Sequence, residues 1–324
     1  DDEMPLTIDT FRFFAGAART MTGPVAGEYV SGHTSMIRRE AVGPVAAITP
    51  WNYPLMMAAW KIAAAIAAGC TIVLKPSEIT PLSTLKVAEL FADILPKGVF
   101  NVVHGRGATI GDRLMNAPQI EAIAVTGSPA TGMAAMRAAS QQIRHVHLEL
   151  GGKAPVIVFD DADVDAVAQT IRYGSFFNAG QDCAQPCRIM VQEGIYDALV
   201  AATAREVGDI RIGAQKAEGT QMGPVVSAIQ AGRVAGFVER ARKSCEVVVG
   251  GERGEGPGFF YKPTVIANVD NDAAIATNEV FGPVVTISRF SDVDEALSVA
   301  NAGRYGLASS VWTRDVGRAM DVTS

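Results

Sequence analysis

From residue 42 onward, short runs of β-branched and apolar residues alternate with alanine-rich segments whose apolar positions recur at helical spacing. Such alternation predicts strand–helix–strand units and a parallel sheet. Val45 to Thr49 reads as a strand, Leu55 to Ala68 as a helix and Thr71 to Lys75 as the next strand. Pro81 to Leu95 predicts a helix, Val99 to Val103 a strand, Gly107 to Met115 a helix, Ala122 to Val125 a strand and Thr131 to Ser140 a helix. A doubly wound unit of this kind binds ligands outside the carboxyl ends of its strands. Thr49-Pro50-Trp51-Asn52, Lys75-Pro76-Ser77-Glu78 and Thr126-Gly127-Ser128 all fall there.

Upstream, Gly27 to Ala41 reads as two extended runs around Gly32-His33, a projecting hairpin. Downstream, Gly151-Gly152 marks a break. A second α/β region follows, with strands at Pro155 to Phe159, Arg188 to Gln192, Val247 to Val249 and Val284 to Arg289. Its helices are expected at Asp163 to Phe177, Ile195 to Val207 and Val293 to Asn301, and the last residues, Met320 to Ser324, read as lying inside a helix. No internal repeat or low-complexity stretch interrupts this pattern.

Composition narrows the class. The chain has 324 residues, about two domains' worth, and 48% of them are hydrophobic against 19% charged. That balance excludes a disordered chain. With 28 basic and 34 acidic residues the net charge is −6, which offers no basic stripe for nucleic acid. Four cysteines form no disulfide framework, and Asp1 to Thr10 lacks the order of a signal peptide, so a cytoplasmic protein is expected. The most apolar run, Pro54 to Ala68, is broken by Lys61 and is shorter than the ~20 residues a membrane span needs.

Familiar nucleotide signatures are missing. Gly105, Gly107 and Gly111 miss the dinucleotide fingerprint by one residue, and Met133-Ala134 stands where a phosphate loop needs Lys-Ser/Thr. Three other constellations carry possible chemistry. Cys183 follows a glycine turn that ends an apolar helix, where a thiol is partly exposed; a nucleophile needs that exposure, whereas a core cysteine would not have it. Cys187 lies four residues on, a spacing that suits neither zinc nor redox pairs. His145, His147 and Glu149 alternate along one strand face, as a general base, as a His-x-His metal site or simply as a solvated polar face. Lys75 and Glu78 suit ribose hydroxyls, and a carboxylate there disfavours a 2′-phosphate; the competing reading is a surface ion pair with Ser77 or Glu78 capping a helix.

Six segments occur together: Pro50-Trp-Asn-Tyr-Pro54, Lys75-Pro-Ser-Glu78, Thr126-Gly-Ser128, Leu148-Glu-Leu-Gly-Gly-Lys153, Phe177-Asn-Ala-Gly-Gln-Asp-Cys183 and Glu279-Val-Phe-Gly-Pro283. In order and spacing they resemble the NAD(P)-dependent aldehyde dehydrogenase superfamily over essentially the whole chain. The Asn178 to Cys183 string, with Cys187-Arg188 after it, is most similar to the aminobutyraldehyde dehydrogenase branch. The resemblance implies an α/β fold: a variant Rossmann cofactor-binding domain (1–22 and 42–149), an oligomerisation hairpin (23–41) and a second α/β catalytic domain (150–324). It implies Cys183 as nucleophile, Glu149 as general base and Asn52 as an oxyanion donor beside the backbone N–H of Cys183. For the cofactor, NAD rather than NADP, it implies Thr49, Pro50, Trp51, Lys75, Pro76, Ser77, Glu78, Gly127, Ser128, Thr131, Glu279 and Phe281. Asp182, Tyr53, Trp60 and Phe177 match positions lining the family's substrate funnel, where a carboxylate and aromatic rings suit an ammonium-bearing aldehyde such as 4-aminobutanal. In the alternative, Asp182 only orders its loop.

The sequence departs from the family pattern at Pro129, in place of the usual Thr, and at Ala64 and Cys70, in place of Pro and Asn. Pro129 puts the local loop geometry in question, and Cys70 reads as packing. The resemblance further implies a homo-oligomer, dimer or tetramer, and a chain that is a central portion of a longer enzyme. Other aldehydes, among them betaine aldehyde, succinate semialdehyde and aliphatic ones, remain open as substrates. So do a metal-dependent hydrolase built on His145, His147 and Glu149, and a non-catalytic relative.

Overall fold

The computed structural model describes residues 3–23 and 27–324. Contacts divide the chain into two compact units, meeting in sequence between Leu150 and Gly151. In the first unit a helix, Glu3–Arg19, precedes a short hairpin of β1 (Gly27–Val30) and β2 (His33–Ser35). Among the described residues of the expected 23–41 hairpin, the regular part spans 27–35; residues 24–26 lie outside those described, as do residues 1–2.

The first unit's sheet contains β3 (Val45–Ile48), β4 (Ile72–Lys75), β5 (Phe100–Val102), β6 (Ala122–Gly127) and β7 (His145–Leu150), all parallel in the order β5-β4-β3-β6-β7. All four residues of β3 are buried. Val45 and Ala47 pack with Ala58 and Ile62 of helix Pro54–Ala67 on one face, while Ala46 and Ile48 pack with Leu114, Met115 and Ala135 on the other. Covering both faces is what turns a central parallel strand into an unbroken apolar run.

Among the boundaries that differ from expectation, two have a clear local reason. The helix after β6 begins at Pro129, two residues early, because Ser128 caps it and proline's fixed φ suits the first helical position. The helix expected to reach Leu95 ends at Phe91, and the chain turns toward Pro96, whose ring disfavours helix in the residue before it.

The second unit holds β8 (Ala154–Val158), β9 (Pro186–Gln192), β10 (Glu246–Val249), β11 (Thr264–Ala267), β12 (Val284–Phe290) and β13 (Ser310–Trp312) in the order β10-β11-β12-β9-β8-β13, parallel except for β10. Val156, Val158, Ile189, Val191, Val285 and Ile287 meet Val167, Ile171 and Leu199 in its main core. β11, β13 and helix Ala228–Ala241 lie outside the sequence-based expectations. That helix was legible: Ser227 caps it, and Ala231, Val234, Val238 and Ala241 bury one stripe. Among the described residues, no helix is long and apolar enough to cross a membrane.

Candidate active site

Each unit carries its own group of candidate residues. In the first, Ile48 at the end of β3 is level with Lys75 of β4 and Val125 of β6. The chain runs outward from β3 to β5 and then returns to β6 on the other side, so strand order reverses between β3 and β6. Thr49–Asn52, Lys75–Glu78 and Gly127–Thr131 therefore leave one edge of the sheet at its switch point, where such folds open a crevice. Thr49 and Thr126 are buried there, and neither Oγ1 has a hydrogen-bond partner. A buried hydroxyl left unpaired costs roughly 1–3 kcal/mol, which a polar ligand would recover.

Beside them, Ser128 Oγ accepts from Thr131 N at 3.3 Å and lies 3.0 Å from Thr131 Oγ1, presenting the first turn of helix Pro129–Ser140 at this edge. Pro129 therefore starts the helix without distorting the turn. Gly132, one turn in, packs so close that a Cβ would meet Leu150 at 2.8 Å. Lys75 corrects the surface ion-pair reading. It is 2% exposed, donates to Pro76 O (2.7 Å) and Gly105 O (3.0 Å), and sits 3.6 Å from Glu78 Oε2. Burial lowers its pKa and Glu78 partly offsets that. Ser77 Oγ accepts from Ile79 N (3.4 Å), and the following helix starts only at Leu82, so neither Ser77 nor Glu78 caps it.

Glu149 stands on β7 opposite Thr126. It borders a cavity of about 340 Å³ whose walls include Trp60, Lys61, His145 and His147. His147 Nε2 lies 3.5 Å from Glu149 Oε1, with His147 well exposed. His145 is exposed on the same face, so the two histidines sit in solvent rather than in a closed shell. Among the described residues no group of three or more His, Cys, Asp or Glu converges as a metal site. Lys61, unassigned in the sequence, is buried, and its pKa falls to about 8 through desolvation, opposed by the charge of Glu149. The signal for it was an ionisable residue inside the most apolar run of the chain.

In the second unit, helix Val164–Phe176 gives way to a tight turn, Phe177–Gly180, in which Asn178 (φ 47°), Ala179 (φ 55°) and Gly180 (φ 67°) are all left-handed. For a non-glycine residue that conformation costs roughly 1–2 kcal/mol. The surroundings hold it: Gln185 Nε2 donates to Ser175 O (2.7 Å) and Gly282 O (3.0 Å), and Gln181 Oε1 accepts from Val226 N (2.8 Å). At Gly180 a Cβ would lie 2.2 Å from Gly282 O. The buried Gln181 and Gln185 were not assigned from sequence, since nothing in a polar amide announces burial.

This turn presents Cys183, which is half-buried. Burial raises its thiol pKa to about 11, with the neighbouring Asp182 carboxylate adding to the rise. Asp182 Oδ1 also accepts from Ala184 N at 2.8 Å, so it does order the loop. Gly152 explains the glycine pair: its N–H donates to Glu279 Oε1 (3.0 Å), and a Cβ on it would lie 2.3 Å from Cys183 O. At Gly151 a Cβ would lie 2.4 Å from Glu279 Oε1. Side-chain-free backbone thus brings Glu279 and Cys183 to one spot. Glu279 has its pKa raised by burial, and Phe281, two residues on, takes φ 59°. Phe177 and Trp60 are both substantially exposed, and Tyr53 is half-buried. Cys187 and Cys70 are buried; Cys70 is core packing.

These features can be set beside known proteins. The sequence pattern of the aldehyde dehydrogenase family matches residues 1–324. Betaine aldehyde dehydrogenase of Bacillus subtilis (strain 168) is 41% identical over 322 residues, 98% of this chain and 66% of that protein. The enzyme of the same name from Cereibacter sphaeroides (strain ATCC 17029 / ATH 2.4.9) is 42% identical over 321 residues, 98% of this chain and 65% of that one. The NAD+ complex of an aldehyde dehydrogenase from Bacillus cereus superposes with a TM-score of 0.97 at 39% identity, covering 100% of this chain and 66% of that chain. The chain thus spans just under two thirds of the length of these relatives. A doubly wound unit with an open switch point, a cysteine on a held left-handed turn, and a match from the first residue to the last lead to one conclusion: the chain belongs to the aldehyde dehydrogenase family.

Proposed function

We propose that the chain carries the machinery of an NAD-dependent aldehyde dehydrogenase acting on an aldehyde with a cationic nitrogen. The observation that carries the reading is Cys183 presented on a held left-handed turn, with Glu279 bound to the adjacent Gly152. The switch-point edge suits a dinucleotide: buried Thr49 and Thr126 hydroxyls seek partners, and the helix N-terminus after Ser128 offers N–H groups to a pyrophosphate. Lys75 is already engaged by two carbonyls, and the Glu78 carboxylate beside it disfavours a 2′-phosphate, which supports NAD over NADP. Thr49, Pro50, Trp51, Lys75, Pro76, Ser77, Glu78, Gly127, Ser128 and Thr131 would hold the cofactor from the first unit, with Glu279 and Phe281 from the second. NAD, when bound, supplies the two-electron acceptor.

Burial and Asp182 push the Cys183 thiol up to about 11, so at neutral pH its proton must pass to a water or buffer base as the sulfur attacks. Its sulfur then adds to the aldehyde carbon and the carbonyl electron pair moves to oxygen. Asn52 and the Cys183 N–H would stabilise that oxyanion, each donor contributing roughly 3 kcal/mol. As the C=O re-forms, the hydrogen would leave carbon together with the C–H electron pair for the two-electron acceptor named above, and a thioester would remain on Cys183. Glu149 then takes a proton from water, whose oxygen displaces the sulfur and releases the acid.

The proposed substrate class rests on Asp182. A carboxylate beside the nucleophile hinders ionisation of Cys183, and a substrate cation offsets that charge on binding. Trp60, Tyr53 and Phe177 offer rings to the same cation. An amino-aldehyde such as 4-aminobutanal and the trimethylammonium group of betaine aldehyde both meet this requirement, and the names of two relatives favour the second. Tyr29, Val30, Met36 and Ile37 are exposed on and after the hairpin, which supports assembly into a homo-oligomer. The test is a panel of amino-, trimethylammonio-, carboxy- and alkyl-aldehydes with NAD and NADP, read at 340 nm. Cationic aldehydes with NAD are expected to give the highest kcat/KM; equal rates with alkyl aldehydes of the same length would overturn the substrate class.

A further inference from the structure

Each thioester hydrolysis leaves a proton on Glu149, and that proton must reach solvent before the next turnover. Lys61 faces Glu149 electrostatically but is buried, so a proton placed on it is no nearer to bulk water. His147 is placed differently. It shares a strand face with Glu149, two residues away on β7, and its Nε2 lies 3.5 Å from Glu149 Oε1. Its side chain is 66% exposed against 37% for Glu149, so the pair runs from the cavity wall outward to water. At 3.5 Å the two atoms stand just beyond ordinary hydrogen-bond distance, and acid–base contacts commonly tighten once substrate is bound. An imidazole can take a proton on one ring nitrogen and release it in the pH range where enzymes work.

We propose that His147 is the proton outlet of Glu149. The proposal rests on the dehydrogenase reading above. Water's oxygen bonds to the thioester carbon, the C–S bond breaks with its electrons going to sulfur, and water's proton goes to Glu149. Glu149 passes that proton to His147 Nε2, and the imidazolium gives it to a base in bulk solvent. In this role His147 is a positioning residue: it acts through Glu149 and holds the carboxylate toward the open side of the cavity.

The test uses the full chain, His147→Ala and the similarly sized but non-titrating His147→Gln, with NAD and betaine aldehyde in dilute buffer. The readouts are NADH formed and the fraction of Cys183 acylated during turnover, measured by rapid-quench intact-protein mass. Both variants are expected to form the first NADH at the wild-type rate, to accumulate acyl-enzyme and to turn over roughly tenfold more slowly, part of the 10²–10⁴ a positioned acid–base group contributes. Added imidazole should restore turnover in His147→Ala as its concentration rises and leave wild type unchanged, which a merely structural role would not produce. Wild-type turnover in either variant, or a loss that imidazole does not relieve, would overturn the proposal alone. Absence of NADH from wild type would overturn the dehydrogenase reading and this proposal with it.

Discussion

The two units reach their functional residues by opposite means. In the first, the candidate cofactor segments are the ordinary carboxyl ends of parallel strands, and Gly127, where β6 ends, has room: a Cβ there would meet Thr131 only at ordinary contact distance, 3.7 Å, although Gly132 one turn on packs closely against Leu150. In the second, Cys183 rides on three consecutive left-handed residues held by contacts from distant segments, with Gly282 97 residues from Gln185 and Glu279 127 residues from Gly152. Topology opens the first unit's crevice without strain, whereas presenting Cys183 takes backbone that only surrounding structure can hold.

The comparison breaks most visibly at glycine. Gly152→Ala drives a methyl group into Cys183 O and is expected to destabilise the second unit by more than ~3 kcal/mol. Gly127→Ala in the first unit should cost under ~1 kcal/mol. Urea unfolding of the two variants, followed by probes in each unit, checks the contrast, and similar losses would dissolve it.

Lys61 sharpens the first unit's side. Its folded pKa, about 8, lies below the ordinary 10.5, so between those values the unfolded chain binds more protons and stability rises with pH. Lys61→Met should therefore stabilise the fold below pH 8, by up to about 3 kcal/mol, and the gain should vanish as pH approaches 10.5. Thermal melts across pH 7 to 10 measure it.

A smaller effect tests the Cys183 loop. Asp182→Asn keeps an acceptor for Ala184 N and removes the charge beside Cys183, so the thiol pKa should fall from about 11 toward its ordinary value. Alkylation of Cys183 by iodoacetamide at pH 8 is expected to quicken several-fold. No change would mean burial alone sets the thiol.

Much of this was legible beforehand, and the reasons differ by region. β3 and β4 could be read because burial on both faces writes an unbroken apolar run, and the crevice segments followed from where those strands end. Cys183 and Glu149 stand in recognisable motifs. The burial of Lys75 could not be read, because local sequence does not reveal how tertiary packing covers a lysine at a strand end, whereas Lys61 stands inside the most apolar run of the chain. Asn178-Ala179 in left-handed conformation was equally hidden, since alanine carries no turn signal and the constraint comes from Gln185 and Gly282. β13 is only three residues long, and its place at the sheet edge depends on pairing with β8.

The central claim is that Cys183 carries the substrate as a thioester and Glu149 releases it. Glu149→Gln incubated with NAD and betaine aldehyde and examined by intact-protein mass tests this most directly. One NADH per chain and one acyl adduct, mapped to Cys183, is the predicted result. Sustained turnover by this variant, or NADH formation with no adduct on Cys183, would contradict the account.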